Sequence, residues 1–325
     1  MRIMVRSALI FALVCALLTG CPTQTRNLSQ IAPDLPEHAE LSNTPFFPQE
    51  QHLCGPAALA TGLTAAGFPV DPKQLDAQLY LPAREGSLQV DMVAASRRQG
   101  ALALPAPQTL AGLLGEVASG TPVIILQNLG LSIAPRWHYA VVIGYDLPRS
   151  EVILRSGIRE REVMAMSTFE HTWARSDYWG LIVVRRNQLP NTVDRSILEK
   201  SLVALEKYAP PDALFGWYQQ AVRRWPDSAI FAVGLGNSAY ATGRFDDAER
   251  AFRAAAKQHP QNAVALNNLA SVLQQRGQLN EALAIANQAV ALGGDWLATT
   301  QATRDAIRNA ISALEASSSD PSAAD

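Results

Sequence analysis

Residues 49–67 read QEQHLCGPAALATGLTAAG and place a cysteine at the start of a predicted helix. Pro56 suits the first turn of a helix, because the N–H group that it lacks would have no partner there. The alanine-rich run that follows contains strong helix formers, and Gly67 is a natural end. The helix dipole at this position favours a thiolate, so we expect a lowered pKa for the Cys54 thiol. The pattern favours a nucleophilic cysteine over its alternative, a small buried hydrophobe.

The composition predicts a globular protein with two domains. The chain has 325 residues, of which 48% are hydrophobic and 17% charged, so it can bury two separate cores. Its net charge of −2 offers no basic surplus to neutralise phosphates, which argues against a nucleic-acid partner.

The first twenty residues have the character of a secretory signal. A basic head precedes an apolar run over 8–18. The run ends in LTGC, residues 18–21, which resembles the lipobox of bacterial lipoproteins. This resemblance implies a signal peptide over 1–20 and a lipid on Cys21, followed by a tether over 21–43; the alternative is an ordinary secretory signal or N-terminal anchor. Pro22 stands where an aspartate would retain a lipoprotein at the inner membrane, so we expect a periplasm-facing location in the bacterial cell envelope, with the outer membrane preferred.

The cysteine count then supports a reactive thiol. Of three cysteines, Cys15 would leave with the signal and Cys21 would be lipidated, so Cys54 would be the single thiol of the mature chain. An unpaired cysteine in an oxidising compartment suggests reactivity rather than a disulfide. No metal or other cofactor is expected, because no second thiol remains and the five histidines show no ligand spacing.

The region around this cysteine reads as an α+β domain. Helices are predicted over 71–80, 87–99 and 109–117, and antiparallel strands follow them. His138 begins the most apolar strand, far downstream of Cys54 but in the same domain, and is our choice for its chemical partner. The alternative is a hydrogen-bonded core histidine. The predicted strands are 121–127, 137–145, 151–156 and 179–185.

Two motifs together resemble a known family. Gln49, CGPA at 54–57 and HYAVV at 138–142 are similar to the bacteriocin-processing (double-glycine leader) peptidases, papain-like enzymes of cysteine family thirty-nine. The closest resemblance is to stand-alone lipoproteins with C-terminal tetratricopeptide repeats. It implies that Cys54 is the nucleophile and that His138 is the base that later becomes the acid. It also implies that Gln49 donates to the oxyanion; Gln51 is a second candidate, and an ordinary solvated glutamine is the alternative.

The sequence departs from the family's pattern at the residue that would orient His138. The strand after the histidine strand carries no carboxylate where the family has Asp or Asn. Asp146 lies eight residues along the strand, roughly 26 Å from His138, which is too far. A hairpin folded about residue 148 makes Ser156 and Glu160 the same-face diagonal neighbours of His138, and Ser156 is preferred.

The second half of the chain predicts a helical solenoid. Small and apolar residues recur at a period of 34, with a degenerate first unit over 195–228 and a capping helix over 296–314. The predicted limits are 44–188 for the peptidase domain, 195–315 for the repeat domain and 316–325 for a disordered tail. Such repeats usually bind a peptide or a partner protein, and a spacer role is the alternative. The residues that fit the first complete repeat are Leu235, Gly236, Gly243, Ala248, Phe252, Ala255 and Pro260.

These observations lead to one main hypothesis and two alternatives. The main hypothesis is a lipid-anchored periplasmic cysteine peptidase whose repeats recruit a protein or peptide substrate. One alternative is a non-catalytic lipoprotein that keeps the peptidase fold as a binding module. The other keeps the Cys/His chemistry and applies it to a cell-wall peptide or to acyl transfer.

Overall fold

This computed structural model describes residues 24–48, 53–190 and 192–318 of the chain. The described residues form two compact units. The first holds the described residues up to 62 together with 80–87 and 105–182, and the second holds 63–79, 88–104 and the described residues from 183 onward. These units group residues by spatial contact, so the sequence limits predicted for the two domains stay predictions.

Among the described residues, a seven-stranded sheet organises the first part of the chain. Its order is β2-β7-β3-β4-β5-β6, and β1 pairs with β4. The pairs β1–β4, β3–β4, β3–β7, β4–β5 and β5–β6 are antiparallel. The strands are β1 His38–Glu40, β2 Ala103–Pro105, β3 Val123–Asn128, β4 Trp137–Asp146, β5 Glu151–Ser156, β6 Arg159–Ala165 and β7 Gly180–Val183.

The central strands are apolar and buried, as their sequences predict. Every residue of β3 is buried, and so is the middle of β4 from Tyr139 to Tyr145. The register sets Gln127 opposite His138, and a bulge lies between Val142 and Gly144 on β4. A Cβ atom on Gly144 would lie 2.6 Å from the Ala39 carbonyl oxygen, so a glycine is needed where β1 crosses close to β4.

Six α-helices of the described chain precede or lie between these strands in the sequence. Those predicted from the sequence are present with shifts of one or two residues at their ends. The helix over 166–174 was not predicted, because its N-cap residue, Ala165, supplies no side-chain hydrogen bond. The helices are α1 Leu28–Ile31, α2 Cys54–Ala65, α3 Pro72–Leu79, α4 Gln89–Arg98, α5 Leu110–Ala118 and α6 Met166–Ala174.

The segment predicted to be a tether is folded in its described part. Strand β1 lies within it, and Leu28 is buried. The backbone N–H groups of Gln24 and Thr25 donate to the Glu170 carboxylate over 2.5 and 2.8 Å. Local composition does not reveal these contacts, since their partners lie more than a hundred residues away.

The repeat helices confirm the predicted solenoid and its period. The first helices of successive units begin at 195, 229, 263 and 297, and the second helices begin at 211, 245 and 279. Both series therefore advance by the period read from the sequence. Asp194, Ser228 and Asn262 cap three of the first helices at the same spacing. The helices are α7 Arg195–Leu205, α8 Pro211–Arg224, α9 Ala229–Ala241, α10 Phe245–Gln258, α11 Ala263–Gln275, α12 Leu279–Ala291 and α13 Leu297–Ser318.

Close packing in the repeats requires small residues. A Cβ atom on Gly236 would lie 2.4 Å from the ring of Phe252, so α9 and α10 approach only because this position is glycine. The last helix continues to Ser318, past the predicted start of the tail at 316, since no glycine or proline stands there to end it. The fold class is therefore the predicted one, an α+β part followed by an all-α repeat part.

Candidate active site

Cys54 is the first residue of α2, as the sequence predicts. The Ala57 N–H group donates to the Leu53 carbonyl over 3.2 Å and closes the first turn of the helix. Ala58 and Leu59 are fully buried one turn further on, while Cys54 itself is half-buried. The helix is thus anchored by its body, and the thiol is presented at its N-terminus.

The pKa of the Cys54 thiol is raised from its ordinary value, which overturns the expected lowering. Burial is the largest cause, because it penalises the charged thiolate. Backbone hydrogen bonds from Tyr139, Gly55 and Cys54 itself act in the opposite direction and favour the thiolate. The backbone groups at the helix start therefore do lower the pKa of the thiol, but desolvation by burial raises it by more.

His138 is the second residue of β4 and is half-buried. Its Nε2 atom lies 3.0 Å from the Oγ atom of Ser156. The β4–β5 register, with Val141 opposite Arg155, extends to put Ser156 opposite Ala140 and hence diagonal to His138 on the same face. If the Ser156 oxygen accepts from Nε2–H, the Nδ1 lone pair is left free to take a proton.

The thiol meets β4 beside this histidine. The Tyr139 backbone that hydrogen-bonds to Cys54 belongs to the residue next to His138. Tyr139 is itself fixed, because its side chain is buried and its hydroxyl donates to the Ser87 carbonyl over 3.2 Å. The structure thus brings the N-terminus of α2 to the start of the histidine strand.

The imidazole is biased towards its neutral form. Burial lowers the pKa of His138, and the charge of Arg136 lowers it further, while the charge of Glu162 raises it. With the thiol pKa raised and the imidazole pKa lowered, both groups rest uncharged near neutral pH. Such a pair can act by general-base catalysis, in which the neutral imidazole takes the thiol proton as the sulfur attacks.

Glu162 is a carboxylate near His138 that the sequence analysis missed. It lies on β6 opposite Leu154, and its side chain is 2.8 Å from Arg159 Nη1. Its negative charge stabilises a protonated imidazole, which a hydroxyl at Ser156 does less well. The alternation of charge sign over residues 159–162, between a turn and an apolar helix start, is the sequence signal that could have revealed this strand.

Glu160, the second residue predicted to orient His138, lies beside Arg155 instead. Its side chain is 70% exposed and lies 3.9 Å from Arg155 Nη1. No hydrogen bond between Glu160 and His138 is present in the described part of the chain. Asp146 stands at the opposite end of β4, where its carboxylate accepts from the Arg149 N–H group over 3.0 Å.

Arg155 ties the segment before the cysteine helix to the strand that carries Ser156. Its guanidinium is buried and donates to the Thr44 carbonyl over 2.8 and 3.2 Å and to the Ser42 carbonyl over 2.9 Å. It also donates to the Glu160 carbonyl. One buried cation therefore fixes the path of the chain some ten residues ahead of Cys54.

Several predicted features lie outside the described residues. Gln49 and Gln51, the oxyanion candidates, are among them, and so is Cys21, the predicted lipid site. Over 24–48, 53–190 and 192–318, no group of three metal-ligating side chains is found. Within the same ranges, no helix has the length and apolar character needed to cross a membrane.

Comparison with known families identifies two regions. Residues 41–180 match the model of the Peptidase_C39 like family, and residues 233–295 match the tetratricopeptide repeat model. These matches confirm the predicted resemblance of the first region to C39-like peptidases and the presence of tetratricopeptide repeats after it, while the lipoprotein part stays a prediction. A search of curated proteins gave no match.

Two solved structures are each similar to part of this chain. A crystal structure described as a C39-like peptidase from Bacillus anthracis is 20% identical, with a TM-score of 0.39, and the match covers 46% of this chain and 99% of that one. The type III secretion chaperone SycD from Yersinia enterocolitica, in complex with a peptide of the translocator YopD, is also 20% identical. Its TM-score is 0.32, with 34% of this chain and 89% of that chain covered.

Proposed function

We propose that this protein is a lipid-anchored, periplasm-facing cysteine peptidase that cleaves a peptide bond in a protein or peptide substrate. The observation that carries the proposal is the arrangement around Cys54. The thiol stands at a helix N-terminus against the Tyr139 backbone, and the neighbouring His138 is hydrogen-bonded to Ser156. The C39-like family match over the same residues supports it.

The chemistry requires each residue in one role. His138 takes the proton of the Cys54 thiol, and the sulfur attacks the scissile carbonyl. The C–N bond breaks as the imidazolium returns the proton to the leaving amine, which leaves an acyl-enzyme. Water, deprotonated by His138, then hydrolyses the thioester and regenerates the thiol. Gln49 and the Cys54 N–H group would donate to the oxyanion.

Lipid attachment is the second part of the proposal. The residues that support it are LTGC at 18–21, preceded by the apolar run over 8–18. We propose that cleavage before Cys21 leaves the lipidated cysteine as the first residue. Mass spectrometry of the mature N-terminus in the native host tests this, since an unmodified cysteine or an uncut signal would contradict it.

Substrate recruitment is assigned to the repeats. The first helices of two successive units carry amide side chains that hydrogen-bond to each other, Asn237 accepting from Asn268 over 2.9 Å. Exposed amides of this kind can pair with the backbone of an extended peptide. We expect an Asn237→Ala/Asn268→Ala variant to slow the cleavage of an intact protein substrate and to leave the cleavage of a short peptide with the same site unchanged.

The decisive experiment is a search for cleavage products. Peptides from a digested bacterial proteome are incubated with the wild-type protein and with Cys54→Ala, and new N-termini are identified by mass spectrometry. Cleavages that occur only with the wild type would support the peptidase.

A second candidate is a non-catalytic binding lipoprotein that keeps the fold. It is favoured by the raised thiol pKa and the lowered imidazole pKa, which oppose an ion pair, and by the hydroxyl in place of a carboxylate at Ser156. Identical product sets from the wild type and Cys54→Ala would favour this candidate.

A further inference from the structure

The connection between β3 and β4, together with the first residue of β4, exposes four large apolar side chains. Residues 129–137, called the apolar hairpin below, carry Ile133 at 92% exposure, Leu131 at 65%, Trp137 at 52% and Leu129 at 45%. Single exposed apolar residues are ordinary, but four within nine residues form a patch that needs an explanation.

Hydrogen bonds hold this hairpin in shape. The Asn128 Oδ1 atom accepts from the N–H groups of Gly130 and Arg136, each over 2.9 Å. The Leu129 N–H donates to the Arg136 carbonyl over 2.9 Å, and the Ala134 N–H donates to the Leu131 carbonyl over 3.0 Å. These bonds pair four backbone N–H groups of the hairpin, which reduces the number of polar groups that it would carry unpaired into an apolar medium.

Side chains in α6 and directly after it contact both the hairpin and residues 24–25, where the described chain begins. Arg175, directly after α6, donates to the carbonyls of Asn128 and Gly130 over 3.1 and 2.7 Å. Glu170, within α6 and 2% exposed, accepts from the backbone N–H groups of Gln24 and Thr25. Five residues separate Glu170 from Arg175, about 7.5 Å along the helix axis.

The proposed lipid site is close to this contact in the sequence. Cys21 precedes Gln24 by three residues, which span at most about 10 Å of extended chain. The chain between a lipid on Cys21 and the contact of Gln24 with α6 is therefore short. The position of a lipid depends on the lipid attachment proposed above. The exposure of the hairpin and its hydrogen bonds do not depend on it.

We propose that the apolar hairpin inserts into the interfacial region of a lipid bilayer and forms a second membrane contact beside the N-terminal lipid. Its composition suits that role, because tryptophan is favoured at the membrane interface and Arg136 is attracted to anionic headgroups. His138 follows Trp137 directly, so this contact would turn the active site towards the membrane surface. The substrate class would then be polypeptides cleaved close to that surface.

The test uses protein without the lipid, so that the hairpin alone is measured. A chain of residues 22–325 keeps every contact described here, since these lie within 24–318. We expect it to float with vesicles of phosphatidylethanolamine and phosphatidylglycerol mixed in a seven-to-three ratio. We expect Leu131→Ser/Ile133→Ser to bind at least tenfold more weakly, with an unchanged circular dichroism spectrum. The matched control is Val90→Ser, whose side chain is 69% exposed outside the hairpin and should not alter binding.

A second measurement reports insertion directly. Phospholipids brominated on their acyl chains should quench part of the tryptophan fluorescence, and Trp137→Phe should remove that part. Wild-type protein that does not bind vesicles, or a double variant that binds as tightly as wild type, would overturn the proposal. Cys54→Ala should bind as wild type does, so a failure of the peptidase hypothesis remains distinguishable from a failure of the membrane contact.

Discussion

The two parts of this protein use charged side chains differently. In the C39-like region, Arg155 and Glu170 are buried, and each binds the backbone of a segment more than a hundred residues away in sequence. In the repeats, arginines such as Arg253 and Arg276 pair with carboxylates at the surface. Buried charges therefore hold segments that are distant in sequence in the C39-like region, whereas close packing at small residues such as Gly236 shapes the contacts between repeat helices.

The largest effect on folding is expected at Arg155. Replacement by methionine would leave the Ser42 and Thr44 carbonyls without their donor in a buried place, at a cost of about 3 kcal/mol. Urea unfolding of Arg155→Met measures this loss. The control is Arg149→Met, because the Arg149 side chain is 75% exposed and its replacement should have little effect on the free energy of unfolding. Equal stability of the two variants would refute the positioning role.

The next effect concerns the orientation of His138. We expect Ser156→Ala to lower kcat/KM about tenfold on a peptide found in the product search, because the imidazole loses the hydrogen bond to Nε2. Ser156→Thr keeps the hydroxyl and should retain most of the activity. An alanine variant as active as wild type would show that Ser156 does not orient the base.

A smaller and pH-dependent effect is expected at Glu162. Since its charge raises the pKa of His138, Glu162→Gln should lower that pKa further below its ordinary value. The neutral imidazole then persists to lower pH, so the acid limb of kcat/KM should move to lower pH. Titration of the His138 ring protons by NMR measures the shift directly, and an upward shift would contradict this assignment.

The lowered pKa of His138 also makes the stability of the protein depend on pH. The folded-state pKa of His138 lies below its unfolded value, so the associated stability is present above the unfolded pKa and is lost as pH falls through the folded pKa. Glu162→Gln should make that acid loss larger. Unfolding of the two proteins at pH 7 and pH 5 gives the comparison.

The smallest effect is expected at the surface of the repeats. Arg253 pairs with Glu249 and Glu281 over 2.7 Å each, but its side chain is 40% exposed and screened by solvent. Arg253→Ala should therefore cost less than about 1 kcal/mol of stability, and salt should reduce the difference further. If Arg253→Ala lost as much stability as Arg155→Met, the charged side chains of the two regions would not differ in their contribution to stability.

The repeats were predictable because their signals are local. Three of the first helices are capped by residues spaced one period apart, and small residues recur where helices approach. The central strands were predictable for the same reason, since β-branched runs such as 121–127 mark buried strands.

The missed features depend on distant partners. Strand β6 carries alternating charges rather than an apolar run, so Glu162 escaped notice. The polar segment at 24–40 is held by residues that are distant in sequence, among them β4 and Glu170. The direction of the thiol pKa was also wrong, because burial of Cys54 is decided by tertiary packing and not by its place at a helix start.

Alkylation of Cys54 by iodoacetamide at pH 7 measures whether Cys54 and His138 act as a pair. Burial leaves little free thiolate at this pH, so reaction should depend on proton acceptance by the imidazole. We expect His138→Ala to slow alkylation at least about tenfold, whereas replacement of His171, which is exposed on α6, should have no effect. A rate that is indifferent to His138 would contradict the pair and favour the binding lipoprotein.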